Sequence, residues 1–248
     1  MENSSYVIGK NAVLEALKSE RDINKIWIGE GSQKGAMQQI FQLAKDKQVI
    51  VQIVPKKKLD EMVEGNHQGV VAQVAAYQYY DLDELFKRAE ERNEAPFFLI
   101  LDELEDPHNL GSIMRTADAT GVHGIIIPKR RSVGLTATVA KASTGAIEHI
   151  PVARVTNLAR TIDELKDKGV WIVGTDAKGT QDYRQMDGEI PVGLVIGSEG
   201  KGIGRLIKEK CDFLVRLPMK GHVTSLNASV AAALLMYEIY RKRSPLGS

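Results

Sequence analysis

The stretch VIGSEGKGIGR, residues 195 to 205, follows an apolar run and carries four glycines: Gly197, Gly200, Gly202 and Gly204. Glycine at this density is typical of backbone that adopts positive φ or that approaches another group closely. The groups that fit are a phosphate, a dinucleotide, another cofactor, or the backbone of a tight turn before the next helix.

Two familiar glycine-loop patterns do not match this stretch. The phosphate-binding pattern G-x-x-x-x-G-K-[ST] fails because only two residues separate Gly197 from Gly200, and Lys201 is followed by Gly202. The dinucleotide pattern G-x-G-x-x-G could begin at Gly202, but its third glycine position holds Ile207. On these residues alone, a cofactor loop and a turn without a ligand both stay open.

Two further stretches place polar side chains directly after apolar runs. In DPHNLGSIMRTADATG, Asn109 is placed to cap a following helix, and Arg115 lies inside that helix among small and apolar residues. In LPMKGHVTSLNASVAAALLMYE, Ser225 and Asn227 open a long apolar helix. Each of these residues, like Glu199 in the glycine loop, could be only a helix cap or a surface residue. With Glu199, these residues form three groups of polar side chains, and each group follows a different predicted strand.

The elements that must position these residues alternate regularly from residue 97 onward. Such near-continuous apolar strands separated by helices predict a parallel sheet covered on both faces, with ligands beyond the carboxyl ends of the strands. The predicted strands are FFLILDEL, GIIIP, PVARV, WIVGTD, GLVIG and FLVRLP. The predicted helices are LGSIMRTADATG, TATVAKASTGAIEH, LARTIDELKDKG, IGRLIKEKC and SLNASVAAALLMYEIYRKR.

The first part of the chain is predicted to be a separate, small α/β unit. Helices are expected at GKNAVLEALKS, GAMQQIFQLAKDKQ and KKLDEMVEG, and strands at INKIWIG, VIVQIVP and GVVAQVAAYQY. The charged stretch DLDELFKRAEERNEAP then predicts a polar connecting helix or linker. The predicted organisation is therefore a domain over 1–80, a linker over 81–96 and a second domain over 97–248.

Composition excludes several classes of protein. The 248 residues carry a formal net charge of +1, so any nucleic-acid binding must come from local patches. The single cysteine, Cys211, suits a reducing cytoplasm, and the five scattered histidines predict no metal site. The N-terminus lacks the pattern of a signal peptide, and no apolar run approaches the roughly 18 residues of a membrane span. We therefore expect a cytoplasmic protein without membrane association.

The motifs DPHNLGSIMRTADATGVHGIII, VIGSEGKGI and LPMKGHVTSLNASVAAALLMYE, in this order, resemble the SpoU or TrmH branch of the SPOUT-type RNA methyltransferases, which methylate ribose 2′-hydroxyls. The resemblance extends over about residues 97 to 243 and includes KASTGAIEHIPV. At the N-terminus, IGKNAVLEAL resembles the L30-like RNA-binding domain of the ribosomal-RNA subgroup. The match over the whole chain is closest to the 23S rRNA (guanosine-2′-O-)-methyltransferases of that family.

The resemblance implies a fold, a cofactor and an oligomeric state. It implies a parallel α/β SPOUT sheet with a deep trefoil knot, binding of S-adenosylmethionine, and a homodimer formed through the knotted domain. The apolar helix from Val230 to Tyr240 is then expected to be an interface rather than only core. The residues implied to bind the cofactor are Gly174, Thr175, Ile196, Gly197, Gly200, Ile203, Leu217 and Leu226.

The resemblance also assigns catalytic roles. Arg115 is implied to hold the target phosphate and to stabilise the developing alkoxide, because a guanidinium with a pKa above ~12 is a poor base. Asn109 and Glu199 would orient Arg115 or the ribose, and Ser225 with Asn227 would complete the polar cluster. The identity of the general base stays open.

The expected substrate is RNA. The basic run at Lys129, Arg130 and Arg131 is either a solvated loop or a contact for RNA phosphates, and the run in VPKKKLD gives a weaker signal of the same kind. The implied target is a guanosine of bacterial 23S rRNA near the peptidyl-transferase centre, in free RNA or in an assembling large subunit. The alternatives are a tRNA 2′-O-methyltransferase, a noncatalytic RNA-binding assembly factor, and an enzyme that binds a small nucleotide.

Overall fold

The computed structural model describes residues 6–19, 21–32, 34–222 and 225–244, so the outermost residues of both predicted domains lie outside the described part. The chain divides into two compact units. The N-terminal unit runs to residue 78 and includes 134–137, and the C-terminal unit comprises 79–133 and 138 onward. None of the helices in these ranges is long and apolar enough to cross a membrane.

The N-terminal unit is a four-stranded mixed sheet with three helices. Its strand order is β1-β4-β2-β3; β4 pairs antiparallel with β1 and β2, and β2 pairs parallel with β3. The helices contribute buried apolar side chains to its core, such as Leu17 and Ile40. The elements are β1 (Tyr6–Ile8), α1 (Lys10–Lys18), β2 (Ile23–Gly29), α2 (Lys34–Asp46), β3 (Val51–Val54), α3 (Lys56–Met62) and β4 (Val70–Val74).

The C-terminal unit is built on a seven-stranded sheet in which every pair is parallel. Its strands are β5 (Phe97–Leu101), β6 (Gly124–Pro128), β7 (Val152–Val155), β8 (Trp171–Thr175), β9 (Gln181–Asp182), β10 (Val192–Ile196) and β11 (Phe213–Arg216). Its helices are α4 (Leu82–Glu91), α5 (Pro107–Ala119), α6 (Ala137–Ser143), α7 (Leu158–Asp167), α8 (Arg205–Lys210) and α9 (Ala228–Arg243).

The strand order in this sheet is β7-β6-β5-β10-β8-β11-β9. All five residues of the central strand β5 are at most 1% exposed. Because successive side chains of a strand point to opposite faces, burial of all five shows that both faces are covered. The predicted α/β fold with a covered parallel sheet is confirmed, while the trefoil knot stays a prediction because strand order and register do not define the path of the loops.

The segment predicted to be a connecting helix or linker packs as part of the C-terminal unit. It forms α4, whose Leu85 and Ala89 are fully buried. Phe86 on the same helix contacts Phe98 of β5 edge-to-face, with 4.9 Å between the ring centroids. The charged residues that suggested a linker form the outer face of an amphipathic helix.

Two helix predictions need correction. The helix predicted over TATVAKASTGAIEH is two elements, α6 and a 3₁₀ turn at Ala146–Glu148, because Thr144 and Gly145 between them adopt positive φ. The helix that carries Arg115 begins earlier than predicted. Its cap is Asp106, whose carboxylate accepts from the backbone N–H of His108 at 2.8 Å. Asn109 therefore lies inside α5 rather than capping it.

Candidate active site

The carboxyl ends of four neighbouring strands meet at one edge of the C-terminal sheet. Register places Leu101 of β5 opposite Ile196 of β10, and Val195 opposite Gly174 of β8. On the next strand, Val215 of β11 lies opposite Thr175. The loops that follow these strands, which contain the three sequence motifs, therefore leave the sheet at the same edge.

At this edge a cluster of two amides and one carboxylate joins the three motifs. The side-chain amide of Asn109 on α5 donates to Oε1 of Glu199 at 3.0 Å. The amide of Asn227 donates to Oδ1 of Asn109 at 3.0 Å and also to Oε1 of Glu199. The backbone N–H of Ala228 donates to the same Oε1 at 3.3 Å. One carboxylate oxygen thus connects the glycine loop with the first turns of α5 and α9.

Asn227 has a second role as the cap of α9. Its Oδ1 accepts from the backbone N–H of Ser229 at 2.9 Å and from that of Val230 at 3.3 Å. The Ser229 hydroxyl donates to the same oxygen at 2.6 Å. The cap uses Oδ1 of Asn227 and the cluster uses its Nδ2. One side chain can therefore cap α9, as predicted, and also belong to the cluster.

Arg115 and Ser225 lie outside this cluster. Arg115 is exposed on α5, six residues beyond Asn109, which places it about 120° away around the helix. Among the described residues, none of the hydrogen bonds of the cluster involves Arg115. Ser225 is exposed in the segment before α9, next to residues 223–224, which lie outside the described ranges. The structure thus brings three of the five predicted catalytic residues together.

The glycine loop folds back on its own backbone. Ser198 and Gly202 exchange backbone hydrogen bonds of 3.2 and 2.9 Å. A Cβ on Gly197 would lie 2.1 Å from the carbonyl carbon of Gly202, where no side chain fits. Gly200 and Gly202 have φ of +79° and +68°. These glycines therefore satisfy the requirements of a closed turn, whether or not the turn also holds a ligand.

The residues predicted to bind the cofactor differ in how deeply they are buried. Ile196 and Ile203 are only 2% and 8% exposed, and Ile203 belongs to the core of the sheet. A Cβ on Gly174 would lie 2.6 Å from the Cys211 sulfur and 2.9 Å from Cδ2 of Leu214, so a larger residue at this buried strand position would require those side chains to move. Burial raises the pKa of the Cys211 thiol to about 12 and makes it a poor nucleophile.

Three of the predicted cofactor residues are more accessible. Thr175, Leu217 and Leu226 are half-buried. Thr175 lies at the end of β8 and donates through its hydroxyl to the carbonyl of Val195 at 3.3 Å. The edge therefore offers partly covered apolar surface beside a closed glycine loop.

Asp102 is a buried acid at this edge that is not among the predicted site residues. It directly follows β5, is only 7% exposed, and its Oδ2 accepts from the backbone N–H of Gly204 at 2.7 Å. Burial raises the pKa of this carboxyl above its ordinary value, although the hydrogen bond from Gly204 opposes the shift. Its position directly after an apolar strand was the available signal, the same one that drew attention to Asn109.

The basic run after β6 is only partly available to a ligand. Arg131 donates to Glu103 in an ion pair of 2.7 Å, while Arg130 is exposed. The backbone N–H of Lys129 donates to Val155 at 2.8 Å and so ties the start of the run to β7. Among the described residues, no group of histidine, cysteine, aspartate or glutamate side chains is arranged to hold a metal ion.

Comparison with known proteins identifies the family to which this parallel α/β sheet and its motif loops belong. The SpoU rRNA Methylase family model matches residues 96–237, and the model for RNA 2′-O ribose methyltransferase substrate binding matches residues 6–80. The chain belongs to the SpoU family of RNA methyltransferases, and the resemblance seen in its motifs is confirmed.

The particular relatives agree with this assignment. The protein YacO of Bacillus subtilis (strain 168), named as a TrmH family tRNA/rRNA methyltransferase, is 72% identical over 242 residues, which are 98% of this chain and 97% of YacO. The SpoU methyltransferase AviRb from Streptomyces viridochromogenes, solved with AdoMet, is 27% identical with a TM-score of 0.62, and the match covers 96% of this chain and 90% of AviRb. An AdoMet-bound rRNA methyltransferase from Sinorhizobium meliloti is 26% identical with a TM-score of 0.58, covering 98% and 88%.

Proposed function

We propose that this protein transfers a methyl group from S-adenosylmethionine to a ribose 2′-hydroxyl of RNA. The observation that carries the proposal is the cluster of Asn109, Glu199 and Asn227, which joins the three family motifs at one edge of the sheet. Two structural neighbours at 26 and 27% identity were solved with AdoMet, which supports the same cofactor here.

The residues at the sheet edge fit such a cofactor. Thr175 ends β8, while Gly197 and Leu217 follow the neighbouring strands β10 and β11, so their main chains are in position to surround one ligand. Half-buried Leu217 and Leu226 offer apolar surface for an adenine, and Ile196 supports the loop from below. Bound at this edge, S-adenosylmethionine supplies a methyl group on a sulfonium sulfur that is already activated for attack by an oxygen.

The protein must then position the ribose and stabilise the negative charge that develops on its 2′-oxygen. Arg115 is exposed on the helix that carries Asn109, so its guanidinium can bind a phosphate of the target nucleotide and stabilise negative charge that develops on the 2′-oxygen. Oε1 of Glu199 already accepts from Asn109, Asn227 and the Ala228 N–H. We therefore assign Glu199 as a positioning residue that fixes both amides.

Ser225 completes the proposed catalytic set. It is exposed in the segment between β11 and α9, two residues before the Asn227 cap. From there its hydroxyl can contact the ribose or a phosphate without disturbing the cluster.

The target that we propose is a guanosine of 23S rRNA near the peptidyl-transferase centre, in free RNA or in the assembling large subunit. The substrate-binding model over residues 6–80 supports recognition by the N-terminal unit. The rRNA methyltransferase from Sinorhizobium meliloti matches over 98% of this chain, which includes that unit. Exposed Arg130 beside the sheet edge provides a positive charge for RNA phosphates. An enzyme with this substrate acts in the cytoplasm.

We also propose that the protein is a homodimer formed through the C-terminal unit. On α9, Val230, Leu234 and Tyr237 are 47, 43 and 51% exposed and follow one another at helical spacing. A stripe of this kind on an otherwise packed helix is typical of an interface. This supports the interface that the family resemblance implies for this helix.

The substrate is tested by offering the protein several RNAs. Purified protein and S-adenosylmethionine labelled in its methyl group are incubated with 23S rRNA, with immature large subunits and with tRNA, all from a strain that lacks the gene. The proposal predicts label in 23S rRNA or the immature subunits. Label in tRNA alone would replace the rRNA target, and no label in any RNA despite cofactor binding would favour a noncatalytic assembly factor.

A further inference from the structure

Asp102 directly follows β5 and contacts the glycine loop at both of its ends. Its backbone N–H donates at 2.8 Å to the carbonyl of Ile196, the last residue of β10 before the loop. Its side-chain Oδ2 accepts at 2.7 Å from the backbone N–H of Gly204, where the loop ends and α8 begins. One residue therefore holds the start and the end of the loop against β5.

Only one of these two bonds depends on the side chain. The bond to Ile196 continues the main-chain ladder between β5 and β10, so any residue except proline could donate it. The bond to Gly204 needs an acceptor on the side chain of residue 102, which is only 7% exposed. Gly204 lets the carboxylate come close, since a Cβ there would lie 3.1 Å from Oδ2. The contact is therefore a close and largely buried one.

The chain that follows Asp102 is itself held in place. Glu103 turns the backbone with a positive φ of +55°. Leu104 is only 3% exposed, and its carbonyl accepts from the backbone N–H of Val133 at 2.9 Å. Asp102 therefore presents its carboxylate from a fixed position, and the glycine loop is the partner that moves if the side-chain bond is lost.

Between its two ends the loop is held by its own backbone and by the cluster. Ser198 and Gly202 exchange backbone hydrogen bonds, and Glu199 accepts from Asn109. Asn109 belongs to the same segment after β5 as Asp102, so this segment contacts the loop at its start, its middle and its end. Loss of the side-chain bond would free only the end that leads into α8.

We propose that Asp102 is a positioning residue for S-adenosylmethionine, because its carboxylate holds the end of the glycine loop in the closed form that binds the cofactor. Glycine-rich backbone has many open conformations, and the apparent affinity for a ligand falls in proportion to the fraction of molecules that stay closed. Asp102 raises that fraction by acting through the loop. The inference rests on the proposed function, since it takes this loop as part of the cofactor site.

Calorimetry with S-adenosylmethionine alone tests this role in the full-length protein. Asp102→Ala removes the acceptor and is expected to weaken binding by about 5- to 150-fold, the range that corresponds to one buried donor left unpaired. Asp102→Asn keeps a side-chain oxygen that can accept from Gly204, and it is expected to bind within about threefold of the wild type.

Asp212→Ala is the matched control, because Asp212 makes the same two kinds of bond at the opposite edge of the sheet. Its N–H donates to the carbonyl of Ile172 at 2.8 Å, and its Oδ2 accepts from the N–H of Ile172 at 2.9 Å. We expect Asp212→Ala to lower the free energy of unfolding, measured in urea, and to leave the affinity for the cofactor unchanged.

Kinetics give a readout that a purely structural role would not change. Because saturating cofactor shifts the loop back to its closed form, Asp102→Ala is expected to raise KM for S-adenosylmethionine. Its kcat on the RNA that the wild type methylates is expected to stay at the wild-type value. A fall in kcat with an unchanged KM would overturn the positioning role.

The outcomes separate this inference from the proposed function. If the wild type methylates RNA and Asp102→Ala binds the cofactor as tightly as the wild type, the role of Asp102 is wrong and the methyltransferase stands. Binding by Asp102→Asn that is as weak as by Asp102→Ala, or an equal weakening in Asp212→Ala, would also overturn it. If the wild type binds no S-adenosylmethionine, the proposed function fails and this inference falls with it.

Discussion

At the scale of single residues, Glu199 is the connection on which the candidate site depends. Its Oε1 accepts from donors on two different helices, from Asn109 on α5 and from Asn227 and Ala228 at the start of α9. A carboxylate that accepts several hydrogen bonds is held more firmly than one with a single partner, because each bond to a charged acceptor adds stabilisation. This oxygen therefore helps to fix both amides, in addition to the cap bonds that already hold Asn227.

Substitution of Glu199 tests whether it positions the amides or takes part in proton transfer. Glu199→Ala removes the acceptor and is expected to lower the free energy of unfolding by about 1–3 kcal/mol and methyl transfer by about 100-fold. Glu199→Gln keeps a carbonyl oxygen and is expected to retain most of the stability and more activity than Glu199→Ala. Denaturation curves and single-turnover rates measure both quantities.

The control for Glu199 is Glu209→Gln. Glu209 is an exposed carboxylate on α8 that pairs with Arg205 at 2.8 Å, away from the cluster, and its substitution is expected to change neither quantity. If Glu199→Gln were as inactive as Glu199→Ala while keeping wild-type stability, a role in proton transfer would replace the positioning role.

Gly197 tests whether the closed form of the glycine loop is needed for the cofactor. Gly197→Ala places a Cβ 2.1 Å from the Gly202 carbonyl carbon, so the backbone of the loop must open. We expect the affinity for S-adenosylmethionine to fall at least about tenfold, with a loss of about 1–3 kcal/mol in the free energy of unfolding. Isothermal calorimetry measures the affinity. Gly35→Ala, in the N-terminal unit and with nothing within 4 Å of its Cβ, is the control, and wild-type affinity in Gly197→Ala would contradict this account.

At the scale of elements, the sequence predicts the strands of the main sheet better than the ends of the helices. Apolar runs such as FFLIL and GIIIP are buried on both faces, and that burial produces the pattern from which they were predicted. Short strands such as Tyr6–Ile8 and Gln181–Asp182 were not predicted, since their extended form depends on pairing with a distant strand. The end of α6 was missed because Thr144, an ordinary residue by type, adopts positive φ.

The cluster itself was beyond what local pattern can predict. The hydrogen bond from Asn109 to Glu199 joins residues 90 positions apart, and the one from Asn227 to Asn109 spans 118 positions. Periodicity places each residue after a strand but does not determine which side chains meet. The sequence therefore indicated the set of candidates, and the tertiary fold separates the joined residues from Arg115, which faces solvent.

A buried histidine that is hydrogen-bonded to the first residue of β5 makes the stability of the C-terminal unit depend on pH. His123 is fully buried, its Nδ1 accepts from the Phe97 N–H at 3.0 Å, and its Nε2 lies 2.9 Å from Glu94. Burial lowers the pKa of His123 below its ordinary value of 6.5, although Glu94 opposes the shift. The unfolded chain therefore binds this proton at a higher pH than the folded protein does.

It follows that the neutral His123 contributes stability above about pH 6.5 and that this contribution is lost as the pH falls below that value. We expect the free energy of unfolding to drop between about pH 7.5 and about pH 5.5. The drop should be smaller in His123→Asn, whose amide oxygen can accept from Phe97. Urea unfolding at several pH values measures it. His108→Asn, an exposed position, is the control, and an equal drop in His123→Asn would contradict this assignment.

At the scale of the whole molecule, the exposed stripe on α9 predicts the oligomeric state. Leu234→Glu places a charge in the middle of the proposed interface, where it would be buried without a partner, and is expected to give monomers at micromolar concentration. Sedimentation equilibrium measures the molecular mass in solution of the wild type and of Leu234→Glu. Leu206→Glu is the matched control, because Leu206 is 58% exposed on α8 outside the stripe. A wild-type protein that sediments as a monomer would contradict the proposed dimer.

The central claim is that this SpoU-family chain methylates the 2′-hydroxyl of a guanosine in 23S rRNA with the help of Arg115. The measurement that tests it most directly is mass spectrometry of the nucleosides from 23S rRNA of a strain lacking the gene, after incubation with S-adenosylmethionine and either wild-type protein or Arg115→Ala. The account predicts new 2′-O-methylguanosine with the wild type, and none with Arg115→Ala although that variant still binds the cofactor. A methyl group on a base, or equal methylation by the variant, would contradict it.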